Sequence, residues 1–231
     1  MRIHGLQKLT LLDFPSRTAC TVFTGGCDFR CPFCHNASLV LRPDQQPLIP
    51  EEEVFAFLEK RRGLLDGVAV TGGEPTLQPD LPDFLRRVKD LGFAVKLDTN
   101  GGRPQVLKAL LAAELVDYVA MDIKSSPEGY ARAAGIPGLD LAPIQESAAL
   151  LLSGTVPYEF RTTLVKPLHT EADMRAIGHW LQGAQRYFLQ SYVDSGDVLA
   201  PGMSAFSREE LAALLAAVQP DIPRAKLRGV D

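Results

Sequence analysis

Three cysteines stand within eight residues, Cys27-Asp28-Phe29-Arg30-Cys31-Pro32-Phe33-Cys34, spaced by three and then two residues. One metal centre can reach all three thiols at that spacing. A closed tetrahedral zinc site takes four ligands, and an ordinary cubane cluster takes four thiolates. This stretch supplies three. Three thiolates on a [4Fe–4S] cube leave one iron open to an outside ligand, so such a cluster is a reaction centre rather than a staple. The competing reading is a zinc knuckle with His35 as its fourth ligand. A redox pair of Cys31 and Cys34 fits less well, because Cys27 is left over.

The whole chain sets the frame for that loop. At 231 residues it fits one domain of α/β-barrel size, and residues 1–231 are expected to form a single domain. A composition of 46% hydrophobic and 23% charged residues is ordinary for a soluble protein with a sizeable core. The net charge of −4 provides no basic field, so no nucleic-acid partner is expected. No apolar run approaches the ~20 residues of a membrane helix, and the opening Met1-Arg2-Ile3-His4-Gly5 is not a signal peptide. A reducing cytoplasm is the expected compartment. No internal repeat or low-complexity tract interrupts the chain.

β-rich runs alternate with helical periodicity. Strands are expected at 19–23, 67–70, 94–97, 118–121, 158–164 and 186–190. Helices are expected after Pro50, at about 80–90, after Pro104, at 141–152, from Thr170 to Leu181, and at 207–218. Thr170-x-x-Asp173 and Ser207-x-x-Glu210 read as capping boxes. Residues 1–18 read as a lead-in, 125–140 as a long loop, and 219–231 as a loose tail. Cys20 lies inside the first expected strand and reads as a small buried core residue. His4, His169 and His179 show no ligand spacing. Six strands alternating with helices imply a mostly parallel sheet, either a partial (βα)6 TIM-like barrel or a doubly wound sheet.

In parallel α/β folds, ligands bind at the C-terminal ends of the strands. The unusual residues gather there: the cysteine loop, Gly72-Gly73-Glu74-Pro75, Asp98-Thr99-Asn100-Gly101, Asp122 and Lys124, and Arg161 within a strand. Glycines permit close backbone approach. Glu74 can accept from an ammonium, and Asp98 and Asn100 offer acceptors for ribose hydroxyls or a cation. A plain turn explains Gly72-Gly73 or Asn100-Gly101 equally well in isolation.

Cys-x3-Cys-x2-Cys with an aromatic before the last cysteine resembles the signature of the radical S-adenosylmethionine (radical SAM) enzymes. The resemblance spans about residues 10–200 and favours the partial barrel. It implies that Cys27, Cys31 and Cys34 hold one [4Fe–4S] cluster. It also implies that Phe33 lies against the adenine of S-adenosyl-L-methionine, and that Gly72, Gly73 and Glu74 receive the amino group of its methionine moiety. Cys34-His35-Asn36, Asp98-Thr99-Asn100-Gly101 and Asp122-x-Lys124 are similar to stretches of the glycyl-radical enzyme activating enzymes. By that similarity His35 and Asn100 adjoin the cofactor. Asp98, Thr99 and Asp122 hold a monovalent cation, Lys124 contacts the cofactor, and Arg161 pairs with its carboxylate. Gly5-Leu6-Gln7-Lys8 through Asp13-Phe14-Pro15 resembles the opening of the anaerobic ribonucleoside-triphosphate reductase activating proteins.

The chain departs from the activase pattern in three places. Phe14 and Ser16 stand where an Asp-Gly-Pro-Gly-x-Arg segment has glycines. Val193 stands where a histidine follows the tyrosine. No eight-cysteine insert is present, so one cluster is expected. The resemblance implies a cytoplasmic enzyme of anaerobic metabolism. Flavodoxin or ferredoxin would reduce it, and it would raise a glycyl radical on a partner such as anaerobic ribonucleotide reductase. The same radical chemistry on a small molecule, or a non-catalytic zinc or iron–sulfur protein, are the alternatives. The loop Asp194-Ser195-Gly196-Asp197 is a candidate partner contact.

Overall fold

A computed structural model describes residues 1–194 and 196–229. Ser195, in the loop singled out above, lies outside them. Among the described residues there are eight strands and eight α-helices. The strands are β1 (Ile3–Thr10), β2 (Ala19–Thr24), β3 (Gly67–Gly72), β4 (Ala94–Thr99), β5 (Tyr118–Asp122), β6 (Tyr158–Leu164), β7 (Tyr187–Ser191) and β8 (Lys226–Arg228). The helices are α1 (Ala37–Leu41), α2 (Glu51–Glu59), α3 (Leu81–Asp90), α4 (Pro104–Ala112), α5 (Tyr130–Ala134), α6 (Ala142–Leu152), α7 (Glu171–Trp180) and α8 (Arg208–Val218). β1–β2, α1–α2 and α5–α6 are consecutive and the rest alternate. Strand order is chain order. β1 is antiparallel to β2, while β2–β3–β4 and β6–β7–β8 are parallel. This is the expected α/β class with a mostly parallel sheet. No helix among the described residues is long and apolar enough to cross a membrane.

The six expected strands are all present, and both capping boxes form at the starts of α7 and α8. Three expectations need correction. The lead-in is β1, an antiparallel strand whose middle, Gln7 to Leu9, is exposed, so it lacks an alternating signal. The loop at 125–140 contains α5, which buries Tyr130 and ends on Gly135 in the left-handed conformation. The tail carries β8. There Arg228 makes a bidentate pair with buried Glu159, at 2.9 and 3.0 Å, and its guanidinium lies 3.7 Å from the Phe188 ring centroid.

The described residues form two compact units. The first comprises Met1–Asp28, Ser38–Ala120 and Thr155–Pro157; the second comprises Phe29–Ala37, Met121–Gly154 and Tyr158–Asp231. Register assigns the two faces of the first unit's sheet. Cys20, Val68 and Val95 form one row, and Val22, Val70 and Leu97 the next; all are fully buried, as are the inward residues of α3. The opposite face carries small residues: Ala19, Gly67 and Ala94 in one row, then Thr21, Ala69 and Lys96.

Phe14 closes the lower row. It is buried with Ala19 and Tyr118, against Ala94, and its ring lies 6.1 Å from that of Tyr118. A Cβ on Gly67 would come within 2.8 Å of the Phe14 ring. These residues are the first of β2, β3, β4 and β5, so Phe14 plugs the N-terminal end of the strands. Ser16, beside it, has φ of 61°, a conformation that glycine adopts without strain.

In the second unit α7 and α8 pack closely at Gly178, where a Cβ would meet Val218 at 3.2 Å. Met174, Ile177, Leu211, Leu214 and Val218 are buried.

Two substitutions test this assignment. Phe14→Ala removes the plug and is expected to cost about 3–5 kcal/mol in urea unfolding, whereas Leu12→Ala at an 88% exposed position leaves stability near wild type. Arg228→Ala removes a bidentate partner of the buried Glu159 carboxylate and is expected to cost about 1–3 kcal/mol in urea unfolding. Adding Glu159→Gln should recover part of that loss.

Candidate active site

The first unit presents a polar bed at the C-terminal ends of β2, β3 and β4. Gly73 N–H donates to the Thr24 carbonyl and Glu74 N–H to the Gly26 carbonyl, each at 2.8 Å. Side chains are excluded from this seam. A Cβ on Gly73 would stand 1.9 Å from the Gly26 oxygen, and one on Gly72 would stand 2.3 Å from the Thr24 nitrogen. Gly72 also has φ of 118°. The glycines were expected to let the backbone approach a ligand; their observed neighbour is the backbone leading into Cys27.

Glu74 is 1% exposed. Its Oε1 accepts from Thr76 N–H at 3.0 Å, Thr76 Oγ1 at 2.6 Å and Thr99 Oγ1 at 2.9 Å; Oε2 accepts from Asn100 N–H at 2.7 Å. Burial pushes the Glu74 pKa up, and these donors oppose the shift. The carboxylate was expected to meet an ammonium. In the structure this chain's own donors bind it and lock the turn after β3 to the end of β4.

Asn100 is likewise committed. Its amide donates to Asp28 Oδ1 at 2.8 Å and approaches Cys27 Sγ at 3.9 Å, while its own oxygen accepts from Gly102 N–H at 2.8 Å. It therefore steadies the first cysteine. The Thr99 hydroxyl also accepts from Gly101 N–H at 3.1 Å. Asp98 forms an ion pair with Lys96.

The second unit holds the remaining expected residues. The stretch from Phe29 to Ala37 is pinned by Arg30 N–H to the Ala134 carbonyl at 2.8 Å and by Ala200 N–H to the Pro32 carbonyl at 3.0 Å. A Cβ on Gly135 would lie 2.1 Å from the Arg30 oxygen. Cys34 N–H donates to the Cys31 carbonyl at 3.0 Å, which turns the chain between the two thiols. Phe33 is buried, edge-on to His169 with centroids 6.3 Å apart. His35 is exposed, 5.6 Å from the Tyr192 ring, and bonded to the backbone at Val193.

Asp122-Ile123-Lys124 extends from the end of β5, with almost every polar atom paired. Asp122 accepts from Arg161 Nε at 3.0 Å and from Lys124 Nζ at 3.2 Å. Ile123 N–H donates to the Arg161 carbonyl at 2.8 Å, and the Ile123 carbonyl accepts from Thr162 Oγ1 at 2.7 Å. The Tyr130 hydroxyl accepts from Lys124 N–H and donates to the Asp122 carbonyl at 3.3 Å. His169 Nδ1 accepts from Val165 N–H, so Nε2 carries the proton and donates to the Lys124 carbonyl at 2.8 Å. Tyr130 and Thr162 were not singled out in the sequence, and His169 was named there only as lacking ligand spacing. Nothing marks them there, because their role depends on burial and distant partners.

The electrostatics follow from this packing. Burial alone would raise the Asp122 pKa, but Arg161 and Lys124 hold it at about 2. Burial disfavours the Lys124 ammonium, yet Asp122 keeps its pKa above the usual range. The trio therefore carries one net positive charge. Burial pushes the Cys31 thiol up to about 11 and raises Cys34 as well, and Lys124 acts against both shifts.

Among the described residues no three metal-ligating side chains are gathered as a metal site; the donors that the loop supplies suit an iron–sulfur cluster by their chemistry. All three loop cysteines are free of disulfides. Cysteine thiols become thiolates when metal coordinates them, and Lys124 favours that form at Cys31 and Cys34. Cys20 is no fourth donor: it lies on the aliphatic face of β2, and burial pushes its thiol up to about 12. Among the described residues the buried Tyr192 hydroxyl has no hydrogen-bond partner, and its ring lies beside that of His35.

Comparisons with known proteins agree. The Radical SAM superfamily profile matches residues 21–181. A Methanocaldococcus jannaschii protein, assigned by name to the glycyl-radical enzyme activating enzymes, is 31% identical over 194 residues, covering 82% of this chain and 79% of its own. A pyruvate formate-lyase-activating enzyme of Listeria monocytogenes is 30% identical over 199 residues, covering 78% and 76%. Among solved structures, a domain of pyruvate-formate lyase-activating enzyme from Bacteroides vulgatus shares the fold. Its TM-score is 0.57 at 20% identity, covering 71% of this chain and 99% of that one.

The Glu74 network is testable without cofactor. Glu74→Gln places an amide N–H against one of the donors the carboxylate accepts from, and is expected to cost about 1–3 kcal/mol in denaturant unfolding.

Proposed function

The chain belongs to the radical SAM superfamily, and from that membership we propose that it is a glycyl-radical enzyme activase using one [4Fe–4S] cluster and S-adenosylmethionine. The observation that carries this reading is the 31% identity to an activase-named protein across 82% of the chain and 79% of the relative. When bound and reduced, these groups supply a 5′-deoxyadenosyl radical, with methionine released, to take a hydrogen atom from a glycine Cα of a partner enzyme.

The protein's part is holding and excluding. Cys27, Cys31 and Cys34 would hold three irons. Phe33 would cover the adenine, with His35 and the Tyr192 hydroxyl at the adenosine. Lys124 and Arg161, already held by Asp122, would face the methionine carboxylate. Gly72, Gly73 and Glu74 would set the turn that receives its amino group, with Glu74 acting through the backbone it locks. Thr99 and Asn100 would keep that turn and Cys27 in place. A flavodoxin or ferredoxin would supply the electron, and anaerobic ribonucleotide reductase is one candidate partner.

Anaerobically reconstituted, reduced protein is expected to release 5′-deoxyadenosine from S-adenosylmethionine. Cys27→Ala, Cys31→Ala and Cys34→Ala should each reduce release to background and lower bound iron. With a glycyl-radical protein added, a glycyl radical should appear in its electron paramagnetic resonance spectrum. Release of 5′-deoxyadenosine without that signal, but with deuterium uptake from a labelled small molecule, would instead indicate a small-molecule enzyme. Zinc without iron in protein purified anaerobically would overturn both.

A further inference from the structure

Asp28 directly follows the first cysteine, and the spacing of the three thiols does not require an acid there. Its Oδ1 lies 4.0 Å from Cys27 Sγ and accepts from the Asn100 side-chain amide at 2.8 Å. The orientation of that amide is settled by its other end. Asn100 Oδ1 accepts from Gly102 N–H at 2.8 Å, so the NH2 group faces Asp28 and Cys27. It donates to the carboxylate at an ordinary distance and reaches the sulfur only at 3.9 Å. Asn100 is buried and its own N–H is tied to Glu74, so the donor is held in place. Space at this corner is limited: a Cβ on Gly102 would stand 3.1 Å from Asn100 Oδ1 and 3.7 Å from Asp28 Oδ2.

Net charge and hydrogen bonds to the sulfurs set the potential of an iron–sulfur cluster. A fixed negative charge beside a ligand disfavours an added electron. An amide held at the limit of its reach to the sulfur does little to favour one. Both effects lower the potential and make the reduced cluster a stronger donor, which suits one-electron cleavage of a C–S bond. Arg103 Nε lies 3.7 Å from Asp28 Oδ2. It offsets part of the charge, but its side chain is 45% exposed, and water screens such a pair.

We propose that Asp28 tunes the cluster to be strongly reducing, by placing a carboxylate beside Cys27 and by holding the Asn100 amide back from its sulfur. The inference rests on the cluster reading given above, and its readout is a potential rather than turnover.

The test uses the full chain, reconstituted anaerobically without S-adenosylmethionine and titrated with titanium(III) citrate. The reduced cluster is read by electron paramagnetic resonance. Asp28→Asn removes the charge and keeps an oxygen for the Asn100 amide. It is expected to raise the midpoint, favouring the reduced form roughly tenfold at a given potential, which is ~59 mV for one electron. Arg103→Gln should move the midpoint the other way. Asp90→Asn makes the same charge change at the exposed end of α3, before β4 begins, and should leave the midpoint at the wild-type value.

A midpoint for Asp28→Asn equal to that of wild type overturns the proposal, and so does an equal shift in Asp90→Asn. If Asp28→Asn retains no iron, Arg103→Gln decides: a lowered midpoint supports the proposal and an unchanged one overturns it. Wild-type protein that takes up no iron overturns the cluster reading and this inference together. Iron uptake with unshifted midpoints overturns this inference alone.

Discussion

The candidate site depends first on one buried carboxylate. Glu74 would be costly in its nearly sealed position without donors, because an uncompensated buried charge loses its hydration. Four protein donors reach it from the turn after β3 and from the end of β4. Hydrogen bonds to an ionised acceptor are stronger than neutral ones. The carboxylate therefore holds two strand ends in one arrangement. The backbone seam at Gly72 and Gly73 then carries that arrangement to Gly26, directly before Cys27. The glycines and the acid form a single device: removing side chains lets two backbones meet, and the buried charge keeps them together.

The second unit solves a related problem with different parts. Lys124 and Arg161 must stay charged where water is scarce, and Asp122 makes that possible for both. An ion trio of this sort is sensitive to geometry, since desolvation can exceed the Coulomb gain when partners drift apart. Tyr130, Thr162 and His169 remove that freedom by binding the backbone of the three-residue segment carrying the charges. Charge is thus placed by backbone anchoring, and the side chains have little room to adjust. Cys31 and Cys34 feel the result directly, through the opposition between burial and the Lys124 ammonium.

What could be read from the sequence was what repeats or clusters locally. Three thiols in eight residues, two capping boxes, six strands and the intervening helical stripes all have short-range signatures. β1 and β8 do not: one has a solvent-facing middle, and the other is three residues long and gains its meaning from Glu159, far away in the chain. Glu74, Asn100 and Thr99 were identified as site residues from their motifs, and the structure adds that they also bond to one another and to the loop backbone. A motif names the residues near a site. It does not say which of them touch the ligand and which hold the others. Lys96 and Asp98 share a face by the two-residue period of a strand, and register adds that the neighbours on that face are small.

The departure at Phe14 and Ser16 becomes intelligible once the strands are oriented. Ligand sites in parallel α/β folds sit where the strands end, whereas Phe14 packs where β2 through β5 begin. A bulky ring there does not obstruct a cofactor. It fills the space that alanine and glycine leave along the lowest row of the small-residue face. The same row explains why the lysine above it is tolerated, since short side chains beneath and beside Lys96 leave volume for its aliphatic stem. Ser16 holds a left-handed backbone without being glycine. A family motif can therefore lose both glycines at this end of the sheet, provided the chain still turns and the floor is still sealed. At Gly72 and Gly73 the same loss would separate two backbones.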